Sequence, residues 1–419
     1  MTHNPFQFEK VYLQNGTPVY LNLDLPVHGV LLGVVFPVGS RDDPPGKEGC
    51  AHFLEHLVFK GTARFPDKIA ITLPIERGGG DIEAYTSIER TVFYTWTLPE
   101  DIATAATALH ELTSSALNRK SDFSKERGVI LGELNEKTES VSWFASKILR
   151  EQLFGKHPLA HLVIGEHDSI ASLSIADVRR FYDRHIRNGA PSVFVIGRAN
   201  TSQVLRCMEK TFGVKQIMPD ARKRTHPPPS TSRHACINNT AYAQSYITLG
   251  ARTFPFCEEK FVTTLNVLGA MLYRGASSPL FMALREPKHG EGLVYDFGVY
   301  YNGHSDAGSL EFGAMTNYEN TERVVNAFFE TLGHVSTDAE RLTIAKTMLT
   351  NEERLNLWSP PEILDDAAES VVEGGHDPVP LRTYIKRVNR ISLDEIRGLV
   401  REYMPRENFS SVVVKGSAE

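Results

Sequence analysis

The run QIMPDARKRTHPPPSTSRHA, residues 216–235, constrains the architecture more than any other stretch of this chain. It joins a basic run, three consecutive prolines (Pro227, Pro228 and Pro229) and a Ser/Thr cluster. Proline removes a backbone donor and holds φ near −65°, so the composition favours an extended, semi-rigid connector. The 419 residues accordingly divide into a first piece, 1–215, a linker, 216–235, and a second piece, 236–419. Such a length accommodates two to three domains. The basic triplet Arg222-Lys223-Arg224 reads as a solvated face.

The flanking pieces repeat one pattern in outline. Each opens with β-rich segments, 33–38 in the first and 244–250 in the second, and continues with long helical patterns, 100–118 and 261–273. Each closes with a helix followed by an apolar strand: 175–185 then 192–197, and 393–403 then 410–415. This is a weak internal duplication. Hairpins mixed with helix runs indicate an α+β fold and not a doubly wound parallel sheet.

Within the first piece, the run Ala51-His52-Phe53-Leu54-Glu55-His56-Leu57-Val58-Phe59 carries the chemistry. The pattern is H-x-x-E-H. On a helix, residues three and four apart share a face, so His52, Glu55 and His56 point the same way. Two neutral imidazoles at that spacing can hold one Zn²⁺. A carboxylate beside the metal can take the proton of an attacking water, as in the inverted zinc-protease motif. The apolar neighbours make the helix largely buried, and buried imidazoles and carboxylates are costly unless they share a task. Asp42, Asp43, Pro44 and Pro45 before the run, and Gly61-Thr62 after it, are start and stop signals. A third ligand is expected from a second helix around 126–136, where Glu126 and Glu133 lie two turns apart on one face. One can bind the metal while the other orients a ligand from behind.

By these motifs the chain resembles the pitrilysin/insulysin-type zinc metallopeptidases, the inverzincin family, and within it the shorter processing-protease-like branch. That family's signature is H-x-x-E-H, then 76 residues, then Glu; here Glu133 stands 77 positions after His56, so 76 residues intervene. The stretches GCAHFLEHLVFKGT and ERGVILGE match its two metal-binding helices. The resemblance implies that His52, His56 and Glu133 are zinc ligands, that Glu55 is the general base and that Glu126 is the supporting acid. Residues 78–94 resemble the family's substrate strand, with Ala84, Thr86, Thr91 and Tyr94 in place and Glu83 where Asn is usual. Glu83, Ala84 and Thr86 are therefore expected to hold substrate. In the second piece, Ser278 to Glu286 and Gly292 to Tyr295 resemble the segment whose Arg and Tyr assist binding or stabilise the oxyanion, which implies that role for Arg285 and Tyr295. The spacing departs from the family: Tyr295 is ten positions beyond Arg285 where seven is common, with Pro287, Lys288, His289 and Gly290 in the insert. The fold implied is two related α+β domains, each a largely antiparallel sheet with packed helices, facing each other around a cleft.

Hydrophobic residues make up 41% and charged residues 23%, an ordinary globular balance. A net charge of −6 gives no electrostatic support for nucleic-acid binding. No run of 18 apolar residues suggests a membrane helix. Residues 1–6 lack the basic and apolar regions of a signal peptide, and Cys50, Cys207, Cys236 and Cys257 show no C-x-x-C spacing, so free thiols and a cytoplasmic location are expected. Cys50 is not expected among the ligands, since two positions along a helix turns a side chain away. Gly78-Gly79-Gly80 lacks a following Lys-Ser/Thr and reads as a turn, not a phosphate cradle.

The expected function is zinc-dependent endopeptidase activity on a peptide substrate held by β-strand addition. Three alternatives remain at this stage: an inactive scaffold subunit, a half-enzyme whose partner chain supplies the Arg/Tyr pair, and a dedicated precursor-maturation protease. Pairing as a homodimer or with a related chain is expected.

Overall fold

The structure, a computed structural model, describes residues 7–214, 224–229, 231–286, 291–355 and 359–417. The N-terminal segment 1–6, the inserted 287–290 and most of the basic half of the linker, Arg222 and Lys223 included, lie outside the described residues.

The first sheet is built from β1 (Glu9–Tyr12), β2 (Pro18–Asn22), β3 (Val30–Phe36), β4 (Asp81–Thr86), β5 (Thr91–Thr97) and β6 (Ser192–Gly197). The second is built from β7 (His234–Asn238), β8 (Ser245–Thr253), β9 (Val294–Gly303), β10 (Gly308–Thr316) and β11 (Ser410–Lys415). Their orders are β1-β2-β6-β3-β5-β4 and β7-β11-β8-β10-β9. In the first, β2 and β6 run parallel and every other pair antiparallel. In the second, β7 and β11 run parallel and the rest antiparallel. Strand for strand the two sheets share one topology, with β1 as an addition to the first. This is the pair of related α+β domains expected from the repeated pattern.

Strand β3, VLLGVVF, is buried along its whole length, because both faces of the sheet are covered. Side chains alternate across a strand. Val30, Leu32, Val34 and Phe36 join a core with Phe53, Leu54 and Leu57 of the first half. Leu31 and Val35 instead meet Ile363, Leu364, Ala367 and Ala368, from helix Pro360–Val372 of the second half. The arrangement is reciprocal. Helix Val141–Phe154 of the first half lays Ala145, Leu149 and Leu153 in one core with Val412 and Val414 of β11. Glycines mark both crossings. A Cβ on Gly33 of β3 would lie 2.8 Å from the Leu364 methyls, and one on Gly250 of β8 would lie 2.9 Å from a Leu149 methyl. Each sheet is thus covered on one face by its own helices and on the other by a helix from the opposite half.

A polar cluster ties the halves at the end of the β4–β5 hairpin. Arg41 Nη1 donates to Glu89 Oε1 and to Asp306 Oδ1, each at 2.7 Å. Its Nη2 donates to Asp306 Oδ2 at 2.7 Å and to the Thr225 carbonyl at 3.0 Å. The Ser305 N–H donates to Glu89 Oε2 at 2.7 Å. Arg224 corrects the sequence reading of its triplet: it pairs with Glu89 and lies 3.6 Å from Asp42, so it is spent on the junction and not on a solvated face. Glu89, fully buried, requires the cations. No helix among the described residues is long and apolar enough to cross a membrane.

Candidate metal and catalytic site

Helix Cys50–Val58 begins at Gly49, whose φ of 91° is left-handed and where a Cβ would lie 2.5 Å from the Ile164 carbonyl oxygen. Asp43 secures this start by accepting the Gly49 and Ala51 N–H groups at 2.7 and 2.8 Å. Phe53, Leu54, Leu57 and Val58 are buried in the core, which turns His52, Glu55 and His56 to the remaining face. Opposite runs helix Lys120–Thr138, anchored by buried Phe123, Ile130 and Leu134. Its Glu126 and Glu133 reach toward the two imidazoles, as their two-turn spacing predicts.

The ligand atoms of His52, His56 and Glu133 all lie within 4.8 Å of one another. His52 Nε2 and His56 Nε2 are each 3.7 Å from Glu133 Oε2. Donors bound to a tetrahedral zinc at about 2.0–2.1 Å stand about 3.3 Å apart, so the two imidazole–carboxylate separations are close to what the ion requires. Burial first, then the neighbouring His56, pushes the His52 imidazole down to about 3, which keeps it in the neutral form that binds metal. His52 Nδ1 is buried without a hydrogen-bond partner among the described residues.

His56 is oriented from behind. Its Nδ1–H donates to Glu126 Oε1 at 3.0 Å, which directs Nε2 toward the trio. Glu126, only 4% exposed, is balanced by Lys60 Nζ at 2.6 Å from Oε2. Glu55 accepts a 2.7 Å hydrogen bond from the Thr86 hydroxyl. Burial raises the Glu55 carboxyl above its ordinary range, and Thr86 partly restrains that rise. A carboxylate made more basic in this way suits proton abstraction near neutral pH.

The other expected residues separate into groups. Ala84 packs against the first core and Thr86 touches Glu55, so both face the site across β4. Glu83 lies on the opposite face, where it accepts from the Tyr94 hydroxyl. Strand alternation alone produces this split. Arg285 and Tyr295 share no contact or cavity with the trio among the described residues. Arg285 lines a separate surface cavity with Asp296 and Tyr300, and half-exposed Tyr295 donates to Asn317 Oδ1 at 3.2 Å. Cys50 is buried outside the ligand group, as expected.

Sequence reasoning did not single out Lys60, which lies in the turn just beyond the C-terminus of helix Cys50–Val58. It also missed the cations beside the trio. A cavity of about 300 Å³ is lined by His52, Thr86 and Glu133 and by Lys137, Lys147 and Arg150.

Residues 19–166 match the family model described as insulinase (peptidase family M16), and residues 172–349 match the one described as peptidase M16 inactive domain. The chain belongs to peptidase family M16. An M16 relative of Bacillus subtilis, named as the uncharacterized zinc protease YmxG, is 25% identical over 408 residues, covering 96% of this chain and 97% of that one. An uncharacterized zinc protease of Streptomyces coelicolor is 26% identical, covering 92% of this chain and 85% of its own. Among solved structures, a protease from Helicobacter pylori superposes with a TM-score of 0.89 at 22% identity, over 98% of this chain and 99% of that one. An M16-like peptidase from Alicyclobacillus acidocaldarius gives 0.84 at 19% identity, over 99% of each. The metal trio and Glu55 lie within the first M16 segment. Arg285 and Tyr295 lie within the second.

Proposed function

We propose that this M16 chain is a zinc-dependent endopeptidase acting on peptides or unfolded segments held as an added strand along β4. One observation carries the reading: the metal-binding atoms of His52, His56 and Glu133 converge beside a partly buried, basic Glu55. Zinc at that site supplies Lewis acidity toward the scissile carbonyl and toward water. The chain's own residues do the remaining work. Glu126 and Lys60 hold the His56 ring in the orientation that presents Nε2. The Thr86 hydroxyl holds the Glu55 carboxylate in place through Oε2, and that carboxylate takes the proton of the attacking water. Glu55 later returns that proton to the leaving amine nitrogen.

Strand β4 ends its sheet, so one row of its backbone groups has no strand partner among the described residues. An extended peptide pairs with such an edge largely independently of its sequence. Ala84 and Thr86 face the metal side of that edge, and in this reading a bound backbone lies close to Glu55. The requirement for an extended chain favours peptides and unfolded segments over folded proteins.

The test is zinc stoichiometry on the purified chain together with a quenched-peptide cleavage assay, with and without chelator. About one zinc per chain and cleavage abolished by chelation are expected. Chelator-resistant cleavage would remove the metal from the reaction. A second reading rests on one observation: the described residues that line the cavity beside the trio all come from the first half. In that reading another copy, or a related chain, supplies the missing wall and the roles expected of Arg285 and Tyr295. Gel filtration with activity measured across each peak separates a lone enzyme from an obligate pair.

A further inference from the structure

The cavity beside the metal trio is electrostatically one-sided. Its carboxylate is Glu133, which the proposed metal would claim, and its cations are Lys137, Lys147 and Arg150. Trp143, Ser146, Lys147 and Arg150 line it from helix Val141–Phe154 at spacings of three and four, so they form one stripe. A neighbouring stripe, Ala145, Leu149 and Leu153, packs against the second sheet. The helix that bears Lys147 and Arg150 is therefore seated by its packing, and Leu162, Val163 and Ile164 form an apolar wall of the same cavity.

The cations differ in what they already hold. Lys137 sits 3.5 Å from Glu133. Lys147 sits 2.8 Å from Glu166 and 4.0 Å from Glu151. The Arg150 side chain makes no hydrogen bond or ion pair among the described residues, although its charge is felt by the buried His304 of the second half. A guanidinium offers five donors in a planar fork that matches a carboxylate. The cavity that Arg150 lines is also lined by His52 and Glu133, two of the three residues of the trio.

We propose that this cavity receives a carboxylate of the peptide substrate and that Arg150 is its specificity-determining residue. The inference rests on the peptidase reading and adds a substrate class to it: peptides with an Asp or Glu side chain, or a free C-terminus, close to the scissile bond. Both sources offer the same chemistry to Arg150, and the experiment separates them.

The zinc-loaded full-length chain is assayed with a panel of quenched peptides that differ only in Glu, Gln or Lys at successive positions. Each is made with a free and an amidated C-terminus. Binding of the same peptides to zinc-loaded Glu55→Gln chain is read by fluorescence anisotropy, which needs no turnover. One charge-assisted pair corresponds to a discrimination of roughly tenfold. The Glu peptide at one position is expected to exceed its Gln twin by about that factor in kcat/KM and in affinity. If the terminal carboxylate is the ligand, the free C-terminus shows the gain over the amide instead. Arg150→Glu is expected to reverse the order in favour of Lys, and Arg150→Lys to retain part of the preference. Circular dichroism checks that both variants are folded. Cleavage and binding indifferent to every carboxylate would overturn the pocket assignment, as would an Arg150→Glu chain with the wild-type order. Carboxylate-dependent binding without cleavage by the wild type would sink the peptidase reading and leave the pocket standing.

Discussion

Replacing Glu126 with Gln isolates what orients the metal-binding imidazole. The carboxylate accepts from the His56 Nδ1–H at 3.0 Å and from Lys60 at 2.6 Å, at a site only 4% exposed. Glutamine has the same shape but one acceptor oxygen and one donor amide, so it cannot serve both partners. Lys60, with its side chain 32% exposed, can turn to solvent, and the oxygen then stays with His56. The folding loss is accordingly modest, about 1 kcal/mol, because the exposed ammonium is not stranded. The loss at the metal is larger. A charge-assisted bond becomes a neutral one of about half the strength, and disruption of such orienting contacts weakens metal affinity by about 10- to 100-fold. The assay is a zinc titration against a chromophoric chelator, paired with thermal unfolding of the metal-free protein. A Glu126→Gln chain that binds zinc as tightly as the wild type would refute the claim that Glu126 sets the His56 tautomer.

Other outcomes follow from the same geometry. Glu55→Gln is expected to keep about one zinc per chain and lose cleavage, whereas His52→Ala loses both, each read by metal analysis and peptide assay. An unimpaired His52→Ala enzyme would place the metal elsewhere. Gly33→Ala forces a Cβ to within 2.8 Å of the Leu364 methyls and is expected to destabilise the fold by about 1–3 kcal/mol in denaturant melts. Combining it with Leu364→Ala should be less than additive, since the second change removes the clash; strict additivity would mean that the crossing helix is not seated there. The junction cluster predicts acid sensitivity. Burial alone would lift the Glu89 carboxyl, but Arg224 and Arg41 hold it below the usual range, and Asp306 is likewise held down by Arg41 against its burial. Depressed carboxylates stabilise the fold above their unfolded values near 4. That contribution is lost as pH falls through the lower folded values. Asp306→Asn should flatten the dependence of the melting temperature on pH in that acid window, and an unchanged slope would contradict it.

Much of this was legible in the chain. The apolar strands at Ser192–Gly197 and Ser410–Lys415 and the helix at Leu393–Tyr403 occur where the alternation and the helical pattern place them. The ligand geometry was readable because helical spacing converts directly into shared faces, and the trio forms as His52, His56 and Glu133 imply. Long-range pairings were less readable. The unbroken apolar run of β3 says that both its faces are covered, but nothing local says that Leu364 covers one of them. Glu83 shows a parity effect: Thr86 meets Glu55, so the residue three positions earlier must face away. Nothing in the sequence singles out Arg150 or Lys147, since their cavity exists only once helix Val141–Phe154 is packed against residues of β11.

The exchanged helices have a consequence for how such a chain can be divided. A single repeat standing alone would show water the apolar side of β3, with Leu31 and Val35, or that of β11, with Val412 and Val414. It would remain soluble only by trading arms with a twin. Here the tether makes that twin part of the same molecule. Separately produced halves should therefore aggregate alone and recover native structure when made together. The stripe ending at Arg150 would form only in the mixture.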